Sequence, residues 1–533
     1  MSSNRTLAFA ITLALASGSA VAGKADTPAA GRAFGLIDSH ASTLHRNASD
    51  RFSVKDVVVD ANGTEHVRFE RTYRGLPVIG GDFVVHSRNG AFKSASQTLK
   101  TAQRPNLDAR ISGDAATIAA GADFGTGFDG MRAAQKVVFA RNTTPRLAYE
   151  VVFTGTKKDQ TPTEMHYFID AANGRILDKW DMVHTAKPGG GGSGGGTPAV
   201  GTGRTLLYGN VALNTAGSGN AFNMTDTTRG NGATYDGLNV GYQTAANRAT
   251  LFTDADNTWG NNTTSDRATV AGDAHFGVAT TWDYYKATFN RNGIFNDGKG
   301  VKSYVHVGRG WVNAAWYANA MYYGDGGGSY LPLVAIDVAG HEMSHGVTQA
   351  TSGLAYSGDS GGLNESTSDI FGTMVEFFAN NANDTPDYEI GEEIYASNPG
   401  GTKALRYMFK PSAADGGASY DCYPAGGLGG VDPHYSSGPA NHFFYLLAQG
   451  AVSPSGFNFT AGQLVCNGDT GVTGIGRDKA QRIWYRALDV YFTSSTTYPQ
   501  ARAATLSAAA DLYGSGSAEY AAVARAWSAV SVN

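Results

Sequence analysis

The pattern that most limits what this chain can be is His341-Glu342-Met343-Ser344-His345, beyond the midpoint of its 533 residues. Residues four apart lie one turn apart on the same face of an α-helix, so both imidazoles can reach one metal ion. Glu342 is rotated by about 100° from His341 and faces the same site without having to be a ligand. Neutral imidazole nitrogens suit zinc, and three protein ligands with one open position are typical of a catalytic site. The pattern therefore predicts a helix that supplies two of three zinc ligands.

A third ligand is predicted within residues 361–378, where apolar residues recur at helical spacing. We place Glu365 on the first turn of this predicted helix, after a turn-forming run at residues 357–362 that can fold it back onto the first helix. Asp369 lies one turn further along the same face, where its carboxylate can accept the free N–H of a zinc-binding histidine. Acidic residues also favour the first turn of a helix for electrostatic reasons alone. The histidine pair upstream favours the metal site instead.

These motifs together resemble the thermolysin family of zinc metalloendopeptidases, and in detail its vibriolysin and pseudolysin branch. The resemblance is carried by HEMSH, by the spacing of nineteen residues between His345 and Glu365, and by the sequence NESTSD around Glu365. It extends from about residue 200 to the C-terminus, with weaker similarity before that point. The resemblance implies an α+β fold with a β-rich lobe, an α-helical lobe and the zinc helix between them. It also implies preceding α+β pro-domains, and a substrate cleft between the two lobes.

The resemblance implies catalytic roles for four residues. Glu342 is expected to act as the general base, and His434 as a second active-site histidine that Asp432 orients. Tyr356 is expected to stabilise the negative charge that develops on the substrate carbonyl. Without the resemblance, a lone histidine would be read as structural and Tyr356 as an aromatic core residue.

Substrate contacts are also implied by the resemblance. Asn313 and the following Ala314 match residues that hold the substrate backbone as an added edge strand. Arg406 matches an arginine that contacts the substrate carbonyl. The family cleaves on the N-terminal side of bulky apolar residues, and Val338 and Leu405 are compatible with a pocket for such a side chain.

A separate group of acidic residues suggests a second metal. Oxygen ligands from several chain segments suit calcium rather than zinc. Acidic runs are usually solvated surface, so this prediction depends on the match to the family's calcium site. It implies one or more structural calcium ions bound by Asp337, Glu376, Asp387, Glu389 and Glu392.

The first residues read as an export signal. Arg5 precedes an apolar run at residues 7–16, and Ala20-Val21-Ala22 is a small-residue cleavage site, which predicts a signal peptide at residues 1–22. The run is too short to span a membrane, so we expect a secreted protein without a membrane anchor. Two cysteines suit an oxidising compartment with at most one disulfide.

A glycine-rich linker at residues 187–198 divides the remaining chain, because it has almost nothing to bury. Before it we predict two small α+β units, at residues 23–107 and 108–186, with an Asn89-Gly90 hairpin turn in the first. The resemblance makes them a pro-region that assists folding and inhibits the enzyme. After the linker we predict a β-rich lobe at residues 199–352, strand-rich up to about residue 330. A helical lobe follows at residues 353–533, ending in helices at 478–492, 500–513 and 517–530.

Other functions were weighed against these motifs. A net charge of −5 with both signs interspersed gives no footprint for nucleic acid. A zinc aminopeptidase is disfavoured by the ligand spacing and by the motifs around Asn313 and His434. A secreted adhesion protein that kept only the fold would be expected to lack a ligand or the base, and all are present. The sequence predicts a secreted, monomeric zinc endopeptidase for proteins and peptides, made as an inactive precursor.

Overall fold

The computed structural model describes residues 24–125, 127–183, 196–398 and 403–533. The predicted signal peptide lies outside the described residues, and so does most of the predicted linker. Within the described ranges, no helix is both long enough and apolar enough to cross a membrane.

Within the described residues before the linker, nine strands form one sheet, and two helices lie against it. The strand runs predicted on either side of the Asn89-Gly90 turn are confirmed, and both turn residues have positive φ. The helices are α1 (Pro28–Ser39) and α2 (Gly113–Phe124), and the strands are β1 (Asp50–Val59), β2 (Thr64–Tyr73), β3 (Leu76–Ile79), β4 (Phe83–Arg88), β5 (Ala91–Gln97), β6 (Phe128–Phe139), β7 (Arg146–Thr156), β8 (Pro162–Asp170) and β9 (Ile176–Asp181).

This sheet joins the two units that the sequence separated at residue 107. Strand β3 of the first unit pairs in parallel with β6 of the second, through Val78 with Val138 and Ile79 with Phe139. Each unit keeps its own apolar core, the first under α1 and the second under α2. The region is therefore two small cores on one continuous sheet.

The β-rich lobe contains a five-stranded and a six-stranded sheet. Its strands are β10 (Pro198–Arg204), β11 (Asn210–Ser218), β12 (Ala221–Asn223), β13 (Thr225–Asp226), β14 (Gly232–Asp236), β15 (Thr250–Leu251), β16 (Thr253–Asp254), β17 (Thr258–Trp259), β18 (Lys302–Val307), β19 (Ala314–Tyr317) and β20 (Ala320–Gly324), and its helices are α3 (Tyr242–Arg248) and α4 (Arg267–Phe289). Strand β19 lies at one edge of the six-stranded sheet.

Helix α4 was not predicted within the region that the sequence marked as strand-rich. It is 23 residues long, and its buried residues lie around most of its circumference and include polar ones such as Asp273 and His275. A helix that is buried on most sides has no single apolar stripe, so the periodicity that marks surface helices is missing. The Asp273 carboxylate accepts the backbone N–H groups of Leu206 and Leu207, which anchors the start of the lobe to this helix.

The helical lobe follows helix α5 (Ile336–Ala350), which carries the HEMSH motif. Its elements are α6 (Gly358–Ala379), β21 (Glu389–Ile390), β22 (Arg406–Tyr407), α7 (Pro411–Ala414), α8 (Pro433–Ser436), α9 (Gly438–Gln449), a 3₁₀ turn (Ala461–Leu464), α10 (Arg477–Val490), α11 (Tyr498–Tyr513) and α12 (Ala518–Ala529). The last three confirm the predicted C-terminal helices to within about two residues at each end. Cys422 and Cys466 form a disulfide in this lobe.

Helix α6 begins earlier than predicted, at Gly358, so Glu365 lies two turns into it and not on its first turn. Two of the three glycines that suggested a turn, Gly361 and Gly362, serve close packing instead. A Cβ atom on Gly362 would lie 2.4 Å from the carbonyl oxygen of Ser436 in α8. Gly372 has the same role against α5, because a Cβ atom there would lie 2.5 Å from the carbonyl oxygen of Asp337. This close approach of α5 and α6 brings the two metal-binding motifs together.

Candidate active site

The predicted zinc ligands converge where α5 and α6 face each other. The Nε2 atoms of His341 and His345 are 3.1 Å apart. The Glu365 carboxylate places Oε2 at 3.5 Å from Nε2 of His341 and Oε1 at 3.3 Å from Nε2 of His345. Neighbouring ligand atoms of one tetrahedral zinc are expected at about 3.3 Å, given bonds of about 2.0–2.1 Å. All three residues are buried, so the site is shielded from bulk water.

The hydrogen bonds on the far side of each ring indicate that the site suits a cation. Nδ1 of His341 lies 2.8 Å from Oδ1 of Asp369, and Nδ1 of His345 lies 2.7 Å from Oδ1 of Asn364. Because both Nδ1 atoms face acceptors, each Nε2 is left with its lone pair toward Glu365. Oε2 of Glu365 is buried and has no hydrogen-bond partner among the described residues. Three converging lone pairs are unfavourable without a positive charge between them, and a zinc ion fits this donor set.

The protonation of His341 shows the same demand for positive charge. Burial alone would lower the pKa of its imidazole, but the carboxylates of Glu365 and Asp369 outweigh burial and raise that pKa to about 9. A proton therefore takes up the positive charge that the site requires when no metal is bound.

Asp369 is the centre of the hydrogen-bond network behind the ligands. Besides His341, it accepts from Nε and Nη2 of Arg406 at 2.8 and 2.7 Å, and from Nδ2 of Asn441 at 2.7 Å. Burial would raise the pKa of Asp369, but the Arg406 guanidinium and His341 hold it well below its usual range. The structure places Asp369 against Nδ1 of His341, the kind of position that the sequence analysis proposed for it. Arg406, predicted to contact substrate, has its guanidinium on Asp369.

Glu342 is held by the edge strand of the β-rich lobe. Its Oε2 accepts the backbone N–H of Trp316, in β19, at 2.7 Å. This contact places the carboxylate of the predicted general base between the zinc ligands and the predicted substrate-binding strand. The six-stranded sheet ends at β19, whose outer edge can accept an added strand.

His434 and Tyr356 lie on the same side of the Glu365 carboxylate. Nδ1 of His434 is hydrogen-bonded to Oδ1 of Asp432 at 2.8 Å, and its Nε2 is 3.8 Å from Oε2 of Glu365. The Glu365 carboxylate raises the pKa of His434 against desolvation, and Asp432 adds to this effect. The Tyr356 hydroxyl donates to Oε1 of Glu365. The structure thus brings together all four residues that the sequence predicted as catalytic.

The region before the linker lies against β19, the strand that the sequence predicts to bind substrate. Nδ2 of Asn313 donates to Oγ1 of Thr161 at 3.2 Å, and the Tyr317 hydroxyl donates to Oε2 of Glu164 at 3.2 Å. The backbone of Ala314, predicted to hold substrate, lies between these two contacts. The side chains of β8 and of the turn before it therefore cover the edge where a peptide would bind.

Three of the five predicted calcium ligands gather at the end of α6 and in the loop after it, with two additions, while Asp337 and Glu389 belong to neither group. Oxygen atoms within 4.8 Å of one another are offered by two overlapping groups: Glu376, Asp387 and Glu392 in the first, and Asp384, Glu392 and Glu393 in the second. Asp384 and Glu393 were not predicted as ligands, although both lie in the same acidic stretch. The density of carboxylates between residues 384 and 393 was the signal that could have found them.

Among the described residues, several carboxylate oxygens of this cluster have no hydrogen-bond partner. Burial first, and then the neighbouring acids, raise the pKa of Asp384 to about 8 and that of Asp387 to about 6. Burial and Asp387 raise the pKa of Glu389 to about 8, although Glu389 belongs to neither ligand group. Asp337 accepts the N–H groups of Val338 and Gly391 beside the cluster.

Two residues of the network were missed by sequence reasoning. Asn364, which holds His345, directly precedes Glu365 within the motif, so its position could have suggested a role. Asn441 lies on α9, 72 residues from its partner Asp369, and no local pattern in the sequence marks it.

Comparisons with known proteins agree with this geometry. Models of the thermolysin metallopeptidase catalytic domain and α-helical domain match residues 200–349 and 352–532, and the fungalysin/thermolysin propeptide motif matches residues 50–99. A transglutaminase-activating metalloprotease of Streptomyces mobaraensis is 46% identical over 500 residues, which cover 92% of this chain and 62% of that protein. A thermolysin of Alicyclobacillus acidocaldarius is 39% identical over 508 residues (92% and 87%), and a bacillolysin of Bacillus cereus is 38% identical over 524 residues (92% and 86%). The chain thus spans less than two thirds of the Streptomyces relative.

Proposed function

The chain belongs to the thermolysin family of metallopeptidases, and on this basis we propose how its residues divide the reaction, what it cleaves and how its pro-region restrains it. It is a zinc-dependent neutral endopeptidase made with a propeptide. The observation that carries the proposal is the convergence of His341, His345 and Glu365 beside Glu342, which is itself tied to an open sheet edge.

The division of labour begins with the proton transfers. His341, His345 and Glu365 would hold a zinc ion, which would supply Lewis acidity toward the scissile carbonyl. The Glu342 carboxylate takes a proton from the attacking water and passes it to the nitrogen of the leaving amine. The Trp316 N–H keeps this carboxylate aimed at the site, so the proton travels a short, fixed path.

The negative charge that develops on the scissile carbonyl oxygen needs hydrogen-bond donors aimed at it. We assign this role to Nε2 of His434 and to the Tyr356 hydroxyl, which both lie beside the Glu365 carboxylate. Asp432 holds Nδ1 of His434 and thereby fixes which face of the imidazole donates.

The substrate backbone is proposed to lie along β19 as an added strand, bound by Asn313 and Ala314. Arg406, whose guanidinium is paired with Asp369, is proposed to contact the substrate carbonyl. Val338 belongs to a small apolar cluster against which Leu405 packs. This cluster supports cleavage on the N-terminal side of bulky apolar residues in proteins and peptides.

Residues 23–107 and 108–186 are proposed as the inhibitory pro-region, attached through the linker at 187–198 to lobes at 199–352 and 353–533. Its contacts reach both lobes, since Thr161 accepts from Asn313 while Asp82 accepts from the backbone N–H of Ser494. A pro-region held on both sides of the cleft excludes a peptide from the edge strand. We further propose that the enzyme is secreted through the signal at residues 1–22 and acts as a monomer.

The expected test result is cleavage of an N-terminally acetylated peptide on the N-terminal side of its one bulky apolar residue. The purified, matured enzyme should release two fragments whose masses identify that bond, and removal of zinc with 1,10-phenanthroline should stop the reaction. An aminopeptidase would leave the acetylated peptide intact and would shorten only the same peptide with a free N-terminus. That outcome would reject an endopeptidase function.

We also propose that the acidic cluster binds one or more calcium ions. Glu376 is buried, and neither of its carboxylate oxygens has a hydrogen-bond partner among the described residues. Burial, followed by repulsion from Glu392 and Asp384, raises the pKa of Glu376 well above its usual range. Oxygen ligands from several segments suit calcium. A bound ion would tie the loop after α6 to α5 and α6.

A Glu376→Gln substitution is expected to change its effect on stability when calcium is added. Without calcium, the folded chain must keep this buried carboxyl protonated, a cost that glutamine avoids, so Tm should rise. With calcium, the substitution removes a ligand, so Tm should fall. Each change should correspond to about 1–3 kcal/mol of unfolding free energy. Thermal unfolding with calcium or a calcium-selective chelator, in a Glu342→Ala background that cannot digest itself, measures both. Glu519→Gln, which changes a half-buried carboxylate paired with Lys479, should behave alike in both buffers. If Glu376→Gln changes Tm equally with and without calcium, the proposed calcium site is contradicted.

A further inference from the structure

Arg141, just after β6 in the pro-region, inserts its guanidinium into the helical lobe. Its side chain is only 4% exposed. Nη1 donates to Oγ of Ser357 at 2.6 Å, and Nη2 donates to the carbonyl oxygen of Ser357 and to Oγ of Ser360. These acceptors belong to the residue before α6 and to its first turn. Arg141 therefore grips the start of the helix that supplies Glu365.

The contact between the Arg141 guanidinium and the start of α6 is electrostatically unfavourable unless a second residue supplies negative charge. A helix N-terminus carries a partial positive charge, so a buried cation there is unfavourable. Asp178 of β9 supplies the balancing charge, because it pairs with Nη1 of Arg141 and its Oδ1 accepts from Oγ of Ser357 at 2.8 Å. Serine hydroxyls and a carbonyl group are the only partners that the catalytic region offers to Arg141 among the described residues. The contact is stable only as an Arg141–Asp178 pair.

Apolar packing connects this pair to the active site. Phe139, Phe168 and Trp180 of the pro-region sheet form a cluster against which Ala355 and Tyr356 pack. The Arg141 guanidinium lies 5.3 Å from the Trp180 ring centroid. The pro-region thus contacts residues 355–357, just before α6, and Ser360 in its first turn.

We propose that Arg141 and Asp178 form a latch by which the pro-region holds the first turn of α6, so that attachment of the pro-region and order in residues 353–360 are coupled. The proposal builds on the proposed role of this region as the pro-region and adds a contact apart from the covered substrate edge. When the pro-region leaves, the segment that carries Tyr356 loses its cover and its anchor together. The latch therefore acts on α6 of the same chain, at a place separate from the zinc ligands.

Hydrogen exchange on the full-length chain tests the latch without requiring catalysis. The background is Glu342→Ala, which is expected to remain full length, and the variants are Arg141→Gln, Asp178→Asn and the pair together. Each single substitution should speed exchange of the amides at 357–361 by about 30-fold or more, since truncating one partner of a buried charge pair strands the other. The double variant should exchange more slowly than the product of the two single effects predicts. Arg146→Gln, which breaks a half-exposed ion pair to Asp170 within the pro-region, is the matched control and should leave these amides unchanged.

Two results would overturn the latch. One is unchanged protection at 357–361 in Arg141→Gln while α5 and α10 keep their protection. The other is independent, multiplicative effects of Arg141→Gln and Asp178→Asn. If Arg141→Gln unfolds the whole chain, Arg141→Lys decides: it keeps the charge but cannot fork to both serines, and it should raise exchange at 357–361 alone. Hydrogen exchange does not depend on catalysis, so a chain without peptidase activity could still show the latch. Failure of the latch and failure of the proposed peptidase function would therefore give different results.

Discussion

A Glu342→Gln substitution is expected to lower kcat/KM for peptide hydrolysis by about 10⁴-fold, at the top of the range for general acid–base catalysis. Glutamine keeps the size of the side chain, and its carbonyl oxygen can still accept the Trp316 N–H that now binds Oε2. It cannot take a proton from water or deliver one to the leaving amine. Zinc content per chain should stay the same, because Glu342 is not among the three converging ligands.

The intact mass of the secreted protein provides the measurement that needs no added substrate. The wild type is expected to mature to a chain that begins near residues 196–200, while Glu342→Gln stays full length after signal removal. If both chains are cut at the same place, another protease performs maturation, and the kinetic comparison decides the role of Glu342. Normal turnover by zinc-loaded Glu342→Gln enzyme would remove Glu342 from the mechanism. Glu519→Gln, a surface carboxylate paired with Lys479, controls for the loss of a charge alone.

An Asp369→Asn substitution should lower the free energy of unfolding by about 3–5 kcal/mol, the usual cost of stranding one partner of a buried ion pair. Its carboxylate is fully buried and accepts two bonds from Arg406, one from His341 and one from Asn441. Asparagine leaves the Arg406 guanidinium without its counter-charge. It also weakens the hold on His341, so zinc affinity should fall by about 10- to 100-fold.

The two effects of Asp369→Asn can be separated with a second substitution. Adding Arg406→Met removes the stranded cation, so the double variant should regain a large part of the lost stability in a denaturant titration. It should not regain zinc affinity, which competition with a chelator measures, because His341 still lacks its carboxylate partner. If stability and zinc affinity recover together, Asp369 acts on the metal only through the fold.

Much of the site could be read from the sequence because its chemistry is local. The spacing of His341 and His345 sets both imidazoles on one helix face whatever surrounds them. Asp369 follows Glu365 by one turn, so a ligand and the partner of a ligand lie on one face of α6. The three C-terminal helices were found for the same reason, since each buries one stripe of apolar residues against the lobe. In each case, the distances that matter are fixed by helix geometry.

The remaining features were decided by tertiary structure. Helix α4 is buried on most sides and leaves no periodic signal, and the glycines at the start of α6 read as a turn until α8 packs against them. Asn441 reaches Asp369, Arg141 reaches Ser357, and Cys422 pairs with Cys466 across 72, 216 and 44 residues. Such pairs depend on how whole elements dock. The sequence determined which groups each element presents, because repeat geometry acts over a few residues; their partners were decided by packing, which acts between surfaces that are distant in the chain.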